Sequence, residues 1–163
     1  MNPYAASLGD RETLSALADT PARIRRIVSA IGPHGMSSSY APGKWDARQL
    51  VVHLAQTELA FGVRARMALT TDAYVVQPFD QDRWMAREPV VDGDLALAAY
   101  EGMRALNLAL FRSLSQEERR HTFTHPERGQ LEIQEIPALL AGHELHHLEQ
   151  LEVIAAQAPT SGR

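Results

Sequence analysis

Apolar side chains recur at i, i+3, i+4 and i+7 through four separate stretches of this chain, and no stretch shows the sustained alternation of a strand. That periodicity requires helices with one buried stripe each. One stripe runs Ile24, Ile27, Val28 and Ile31. A second runs Leu50, His53, Leu54, Thr57 and Phe61, from a helix opened by the capping-box pair Asp46 and Gln49 and closing near Leu69. The third, over residues 94–114, places Leu95, Ala99, Met103, Leu106 and Leu110 inward. The fourth, from about Gln134 to Ala156, places Ile136, Leu139, Leu140, His143, His147, Leu151 and Ile154 inward, with Pro137 tolerable in its first turn. Four such helices bury their stripes against one another as an all-α four-helix bundle. At 163 residues, residues 1–163 are read as a single domain.

The connections carry their own signals. Residues 10–18 suit a short helix. Asp19, Thr20 and Pro21 read as the cap and first turn of the next, which Gly32 and Pro33 stop. Residues 70–93, with Pro78, Pro89 and Gly93, form a long crossover. Connections that long inside a domain are often functional, and Asp80, Asp82 and Trp84 are placed at a site mouth. Ser115 and Glu118 open a single helical turn, and His121–Gln130 reads as an extended or hairpin-like link.

Chemistry has few places to reside. There is no cysteine, so disulfides, thiolate ligands and a cysteine nucleophile are excluded together. A net charge of −4 argues against nucleic acid as partner, and no run approaches a membrane span. The first ten residues lack a secretory pattern, which together with the absent cysteine fits a cytoplasmic protein.

Among seven histidines, three interrupt apolar stripes. His143 and His147 lie one turn apart, about 6 Å along the axis. His53 interrupts the second stripe, so neighbouring helices bring three imidazoles together. Three histidines plus solvent make a metal site with open positions. The plainer reading is buried core histidines, but each unpartnered ring nitrogen then costs about 1–3 kcal/mol. Proton competition with such a metal is expected near pH 6, close to the ordinary histidine pKa of ~6.5.

His143, Glu144 and His147 also spell H-E-x-x-H, in which the glutamate of a metalloprotease is the general base. No third ligand follows downstream, and Glu144 lies ~80° off the histidine stripe, where a boundary or solvated residue is expected. Gln150 is the candidate to hydrogen-bond a ligand from behind. His146 is a second-layer, substrate-facing or subunit-contact candidate. Arg64 shares the face of His53 and suits an anionic substrate, or else an exposed helix end. Trp84 is a substrate-facing candidate or a packing anchor, and Glu58, about 140° round from His53, is poorly aimed for a base. His34, His121 and His125 are read as surface residues.

Tyr40-Ala-Pro-Gly-Lys-Trp45, Gln49-Leu-Val-Val-His53-Leu54, Phe79-Asp80-Gln81-Asp82-Arg83-Trp84 and Gly142-His143-Glu144-Leu145-His146-His147-Leu148-Glu149-Gln150, in that order, resemble the DinB-like superfamily and its YfiT-like metal-dependent hydrolases. The resemblance spans about residues 14 to 155. It implies a four-helix bundle with a long crossover, a homodimer, and a divalent metal, nickel or zinc, held by His53, His143 and His147. It implies hydrolysis of a small molecule, the metal lowering the pKa of a bound water. Relatives also include transferases and isomerases that use bacillithiol or mycothiol as cosubstrate. A metal-binding stress-response scaffold without activity is the third expectation.

Overall fold

The computed structural model describes residues 2–157, so the domain read over 1–163 extends past the described residues at both ends. Seven helices and a hairpin follow in order: α1 Ala5–Leu8, α2 Thr13–Gly35, α3 Ala47–Thr70, α4 Gln81–Arg87, α5 Gly93–Ser113, α6 Gln116–Arg119, β1 Thr122–His125, β2 Gly129–Glu132 and α7 Glu135–Gln157. The bundle consists of α2, α3, α5 and α7. Helix α3 packs on α5 and α7, and α2 packs on α5 and α7, so α2 and α3 lie diagonally opposite.

Residue pairing fixes the helix directions. Thr20 and Arg23 of α2 meet Glu144 and Glu152 of α7, so those helices run parallel. Glu58 and Gly62 of α3 meet Arg104 and Asn107 of α5, a second parallel pair. Leu17 and Arg25 of α2 meet Arg104 and Glu101, so α2 opposes α5. The sequence of directions is up, down, down, up. A parallel α3–α5 pair requires the chain to return along the bundle between them. At about 1.5 Å per residue, the 24 residues of α3 span roughly 36 Å, and the crossover over 71–92 makes that return. It is not plain loop, because α4 forms within it, capped by Asp80 onto the Arg83 N–H at 3.0 Å.

Asp46 caps α3 with Gln49 answering in a complete capping box, and Ser115 with Glu118 does the same for α6. The link after α6 is an antiparallel hairpin, with Phe123 opposite Leu131.

Two sequence expectations fail at proline and at polar core residues. The helices expected at 10–18 and from Pro21 are one helix. Pro21 sits inside α2, where its ring denies the Leu17 carbonyl its usual i→i+4 donor. Arg104 Nη1 donates to that carbonyl at 3.0 Å, so a tertiary contact restores what the proline removed. The backbone leaves helical geometry at Gly32 (φ 67°), where the sequence places the stop, and a further turn carries α2 to Gly35. On α5 the expected stripe is rotated. Leu95 and Leu106 are 61% and 63% exposed, while Leu97, Tyr100, Arg104, Asn107, Leu108 and Phe111 face inward. An apolar-period search passes over a face that carries an arginine and an asparagine.

Those polar groups divide the core. One apolar cluster holds Leu17, Phe111, Phe123, Ile133 and Leu140, and the other holds Ile24, Leu50, Tyr100, Leu148 and Leu151. Between them Arg104 donates to Glu144 at 2.7 and 2.9 Å and to Glu58 at 2.5 Å. Tyr100 and Thr20 donate to the same Glu144 carboxylate, and Asn107 donates to Glu58 at 2.8 Å. Glu144, expected at a boundary, is 1% exposed. All four bundle helices therefore meet in one ionic layer.

Removing one member of a buried ion network leaves an uncompensated charge and costs about 3–5 kcal/mol. Arg104→Met is expected to lose that much in urea unfolding. Adding Glu58→Gln and Glu144→Gln to that variant is expected to recover part of the loss, because the stranded carboxylates are then neutral.

Candidate functional site

The antiparallel contact of α3 with α7 sets His53 opposite His143, just to the side of the ionic layer. His143 Nε2 lies 3.0 Å from His53 Nε2 and 3.0 Å from His147 Nε2. One nitrogen from each ring falls within a 4.8 Å cluster, and all three rings are buried. Ring centroids stand 4.4–4.9 Å apart.

Nitrogens facing one another this closely need a shared proton or a shared cation. The surroundings favour the cation. His147 Nδ1 lies 2.8 Å from Gln150 Oε1, which only accepts, so that ring carries its proton on Nδ1 and turns the Nε2 lone pair toward the cluster. The Gln150 amide donates onward to His146 Nε2 at 3.1 Å. Burial drives the His53 pKa down to about 3, aided by His147. It takes His147 down to about 4 and His143 well below its ordinary value. Three neutral imidazoles with no thiolate nearby form a nitrogen donor set suited to a borderline divalent ion such as zinc or nickel.

The remaining expected residues distribute unevenly. Trp45 packs on His53 at 4.8 Å, and Phe79 lies parallel to it at 6.3 Å. Trp84 packs edge-on against Phe79 at 4.8 Å and so reaches the histidines only through it. His146 is half-buried, 5.3 Å from His147. Glu58 and Glu144 both point into the ionic layer, and Glu144 is fully engaged by Arg104, Tyr100 and Thr20. The H-E-x-x-H spelling therefore has its histidines and its glutamate on different faces, and Glu144 is held away from the base position of that motif.

A cavity of about 560 Å³ opens onto His143, between α3, the crossover, the hairpin and α7. Arg64, Phe79, Asp80 and His125 line it. Arg64 is 8% exposed, not a free helix end, and His125 belongs to the cavity rather than the outer surface.

Tyr4 is a site residue that the sequence did not indicate. It packs edge-on to His143 at 5.0 Å and lines the cavity, while Asn2 Nδ2 anchors the segment on the Ala138 carbonyl at 3.0 Å. Gly142 permits this, because a Cβ there would stand 2.4 Å from the Tyr4 carbonyl oxygen. The signal was the Gly142 next to His143, unexplained within an apolar helix.

The comparisons with known proteins give the family and the fold. The DinB superfamily model matches residues 16–151, and the chain belongs to that superfamily. It is 30% identical over 132 residues to an Oceanobacillus iheyensis protein named "Putative metal-dependent hydrolase", covering 80% of this chain and 76% of that one. YfiT of Bacillus subtilis, named in the same way, is 23% identical over 141 residues, covering 85% and 79%. The solved structure of YfiT, described as having an unusual four-helix bundle topology, superposes with a TM-score of 0.81 at 22% identity, over 89% of this chain and 85% of that one. A mycothiol-dependent maleylpyruvate isomerase superposes at 0.68 with 18% identity, over 85% of this chain and 59% of its own. No helix among the described residues is long and apolar enough to cross a membrane.

The lowered histidine pKa values carry a stability consequence. The unfolded rings bind protons below about pH 6.5, whereas the folded rings resist them down to about 3 to 4. The stabilisation is complete above 6.5 and is lost as pH falls through that window. Metal-free protein is expected to melt at progressively lower temperature from pH 6.5 to 4, and His53→Phe to flatten that slope.

Proposed function

We propose that this protein is a metal-dependent hydrolase of a small molecule, with His53, His143 and His147 holding one zinc or nickel ion. The observation that carries the reading is the meeting of three neutral Nε2 atoms beside a cavity large enough for a small substrate. The names of its relatives support it. When bound, the metal supplies Lewis acidity and lowers the pKa of a water held on it. The protein's own part is to hold the His147 tautomer through Gln150, to shield the rings with Trp45, Phe79 and Tyr4, and to keep Glu144 in the ionic layer.

The test is metal-induced thermal stabilisation. Zinc or nickel at about 1,000 times Kd stabilises a fold by about 4 kcal/mol, on the order of 10 °C for a chain of this length. The shift is expected in wild type and lost in His53→Ala, His143→Ala and His147→Ala. Gln150→Leu is expected to weaken metal affinity by roughly 10- to 100-fold. Glu144→Gln is expected to lower the baseline melting temperature and retain the shift. A full shift in His53→Ala would refute the triad.

Fold likeness to the mycothiol-dependent isomerase supports a second reading, in which a low-molecular-weight thiol is the cosubstrate. Turnover of small esters, amides and electrophiles by metal-loaded protein, with and without bacillithiol or mycothiol, separates the two. A scaffold without activity predicts metal binding and no turnover in either arm.

We further propose a homodimer. Leu59, Val63 and Met67 form an exposed apolar stripe at i, i+4 and i+8 on α3. Val63→Asp is expected to shift the sedimentation coefficient from dimer to monomer without changing the metal-induced shift.

A further inference from the structure

The end of the cavity remote from the histidines has a charge arrangement that the ionic layer and the metal reading leave unexplained. Arg64 enters it from α3 and Arg128 from the hairpin. Among the described residues neither has a carboxylate within ion-pairing distance. Arg64 is more than nine-tenths buried, yet its hydrogen bond goes to a neutral group, the Gln77 carbonyl, at 2.7 Å from Nη2. Burying a guanidinium without a counter-charge is unfavourable. Burial lowers the Arg64 pKa, Tyr74 opposes that, and Arg128 pushes down again, so the two cations lie within each other's field; the Phe61 ring 4.7 Å under the guanidinium offsets part of the burial but supplies no counter-charge.

His125 lines the same end. Its Nδ1 accepts from the Glu127 N–H at 3.2 Å, which leaves the ring proton on Nε2 as a donor. Three acids also line the cavity. Asp80 is committed to capping α4, and Glu135 accepts from the Glu132 N–H at 2.8 Å, leaving Glu127, next in sequence to Arg128, as the uncommitted acid of the lining. Two guanidinium groups opposed by that carboxylate suit one negative charge better than two. Between this end and His143 the wall is largely apolar, with Phe61, Phe123, Ile136 and Leu139. From Ile136 to His143 the cavity follows two turns of α7, about 10 Å at 1.5 Å per residue.

We propose that Arg64 and Arg128 form a subsite for a monoanionic carboxylate, so that the substrate is an amphiphilic carboxylic acid. Its charged end lies at the hairpin, and its apolar body directs the reacting group toward His143. The subsite itself needs only the arginines, but the direction of the substrate rests on the metal-centre reading above. Arginine suits the role because its planar fork pairs with both carboxylate oxygens.

The experiment uses octanoate and its neutral isostere octanamide, titrated into full-length metal-free protein by calorimetry, with octyl phosphate as a third probe. Octanoate is expected to bind about ten-fold more tightly than octanamide, the scale of a charge-assisted hydrogen bond. Arg64→Met and Arg128→Met are each expected to abolish that preference while leaving octanamide affinity and the zinc-induced melting shift unchanged. Arg64→Lys is expected to restore part of it. Arg128 is exposed on the hairpin, so its variant reports on the subsite even where Arg64→Met fails to fold. Equal binding of octanoate and octanamide, or undiminished preference in Arg128→Met, would overturn the subsite. Tighter binding of octyl phosphate would overturn the carboxylate assignment. Absence of a zinc shift in the wild-type protein with the octanoate preference intact would sink the metal reading and leave the subsite standing.

Discussion

Arg104 is the group on which the arrangement of this bundle turns. Its guanidinium reaches the Leu17 carbonyl on α2, Glu58 on α3 and Glu144 on α7 from its own place on α5. An ion buried this deeply is tolerable only if nearly every hydrogen bond around it is made. That requirement fixes helix rotation and axial register together, which two apolar clusters of interchangeable leucine and alanine would leave loosely determined. Asn107 extends the constraint, since it bonds Glu58 and stands where Gly62 leaves room.

The histidine cluster depends on this layer. Glu144 follows His143 directly and precedes His147 by three residues, so anchoring its carboxylate toward Arg104 fixes the rotation of α7 and sets both rings on the adjoining face, about 80° round. His53 is presented from α3 in the same way, five residues before Glu58. One layer of charge thus sets two ligand-bearing helices, and the elements outside the bundle add the walls: Phe79 from the crossover, Tyr4 from the amino-terminal segment and Arg128 from the hairpin. Tyr4, Trp45 and Phe79 pack on the rings and help exclude water from them, and a nitrogen ligand must be neutral.

Connectivity carries a second constraint. Because α3 and α5 run parallel, the chain between them must travel the length of the bundle. That passage is what brings Phe79 and Asp80 past the histidines and pairs Val75 with Thr124 of the hairpin. The same parallel order makes a cavity between crossover, hairpin and α7 a consequence of topology.

The sequence by itself determined the helix content, the capping boxes at Asp46 and Ser115, the return crossover and the three histidines that interrupt apolar stripes, because each is a local or periodic signal. It also marked Gln150, which stands one turn beyond His147. Tertiary structure alone decided what Arg104, Asn107, Glu58 and Glu144 do. An isolated charged residue reads as solvated, and only the simultaneous presence of its partners from three other helices makes its burial favourable. The buried stripe of α5 departs from the apolar period for that reason, and the Leu17 carbonyl that Pro21 leaves open finds its donor in a residue 87 positions distant in sequence. Arg64 and His125 line the cavity for a different reason, since its wall is built by a crossover and a hairpin whose path no local pattern encodes.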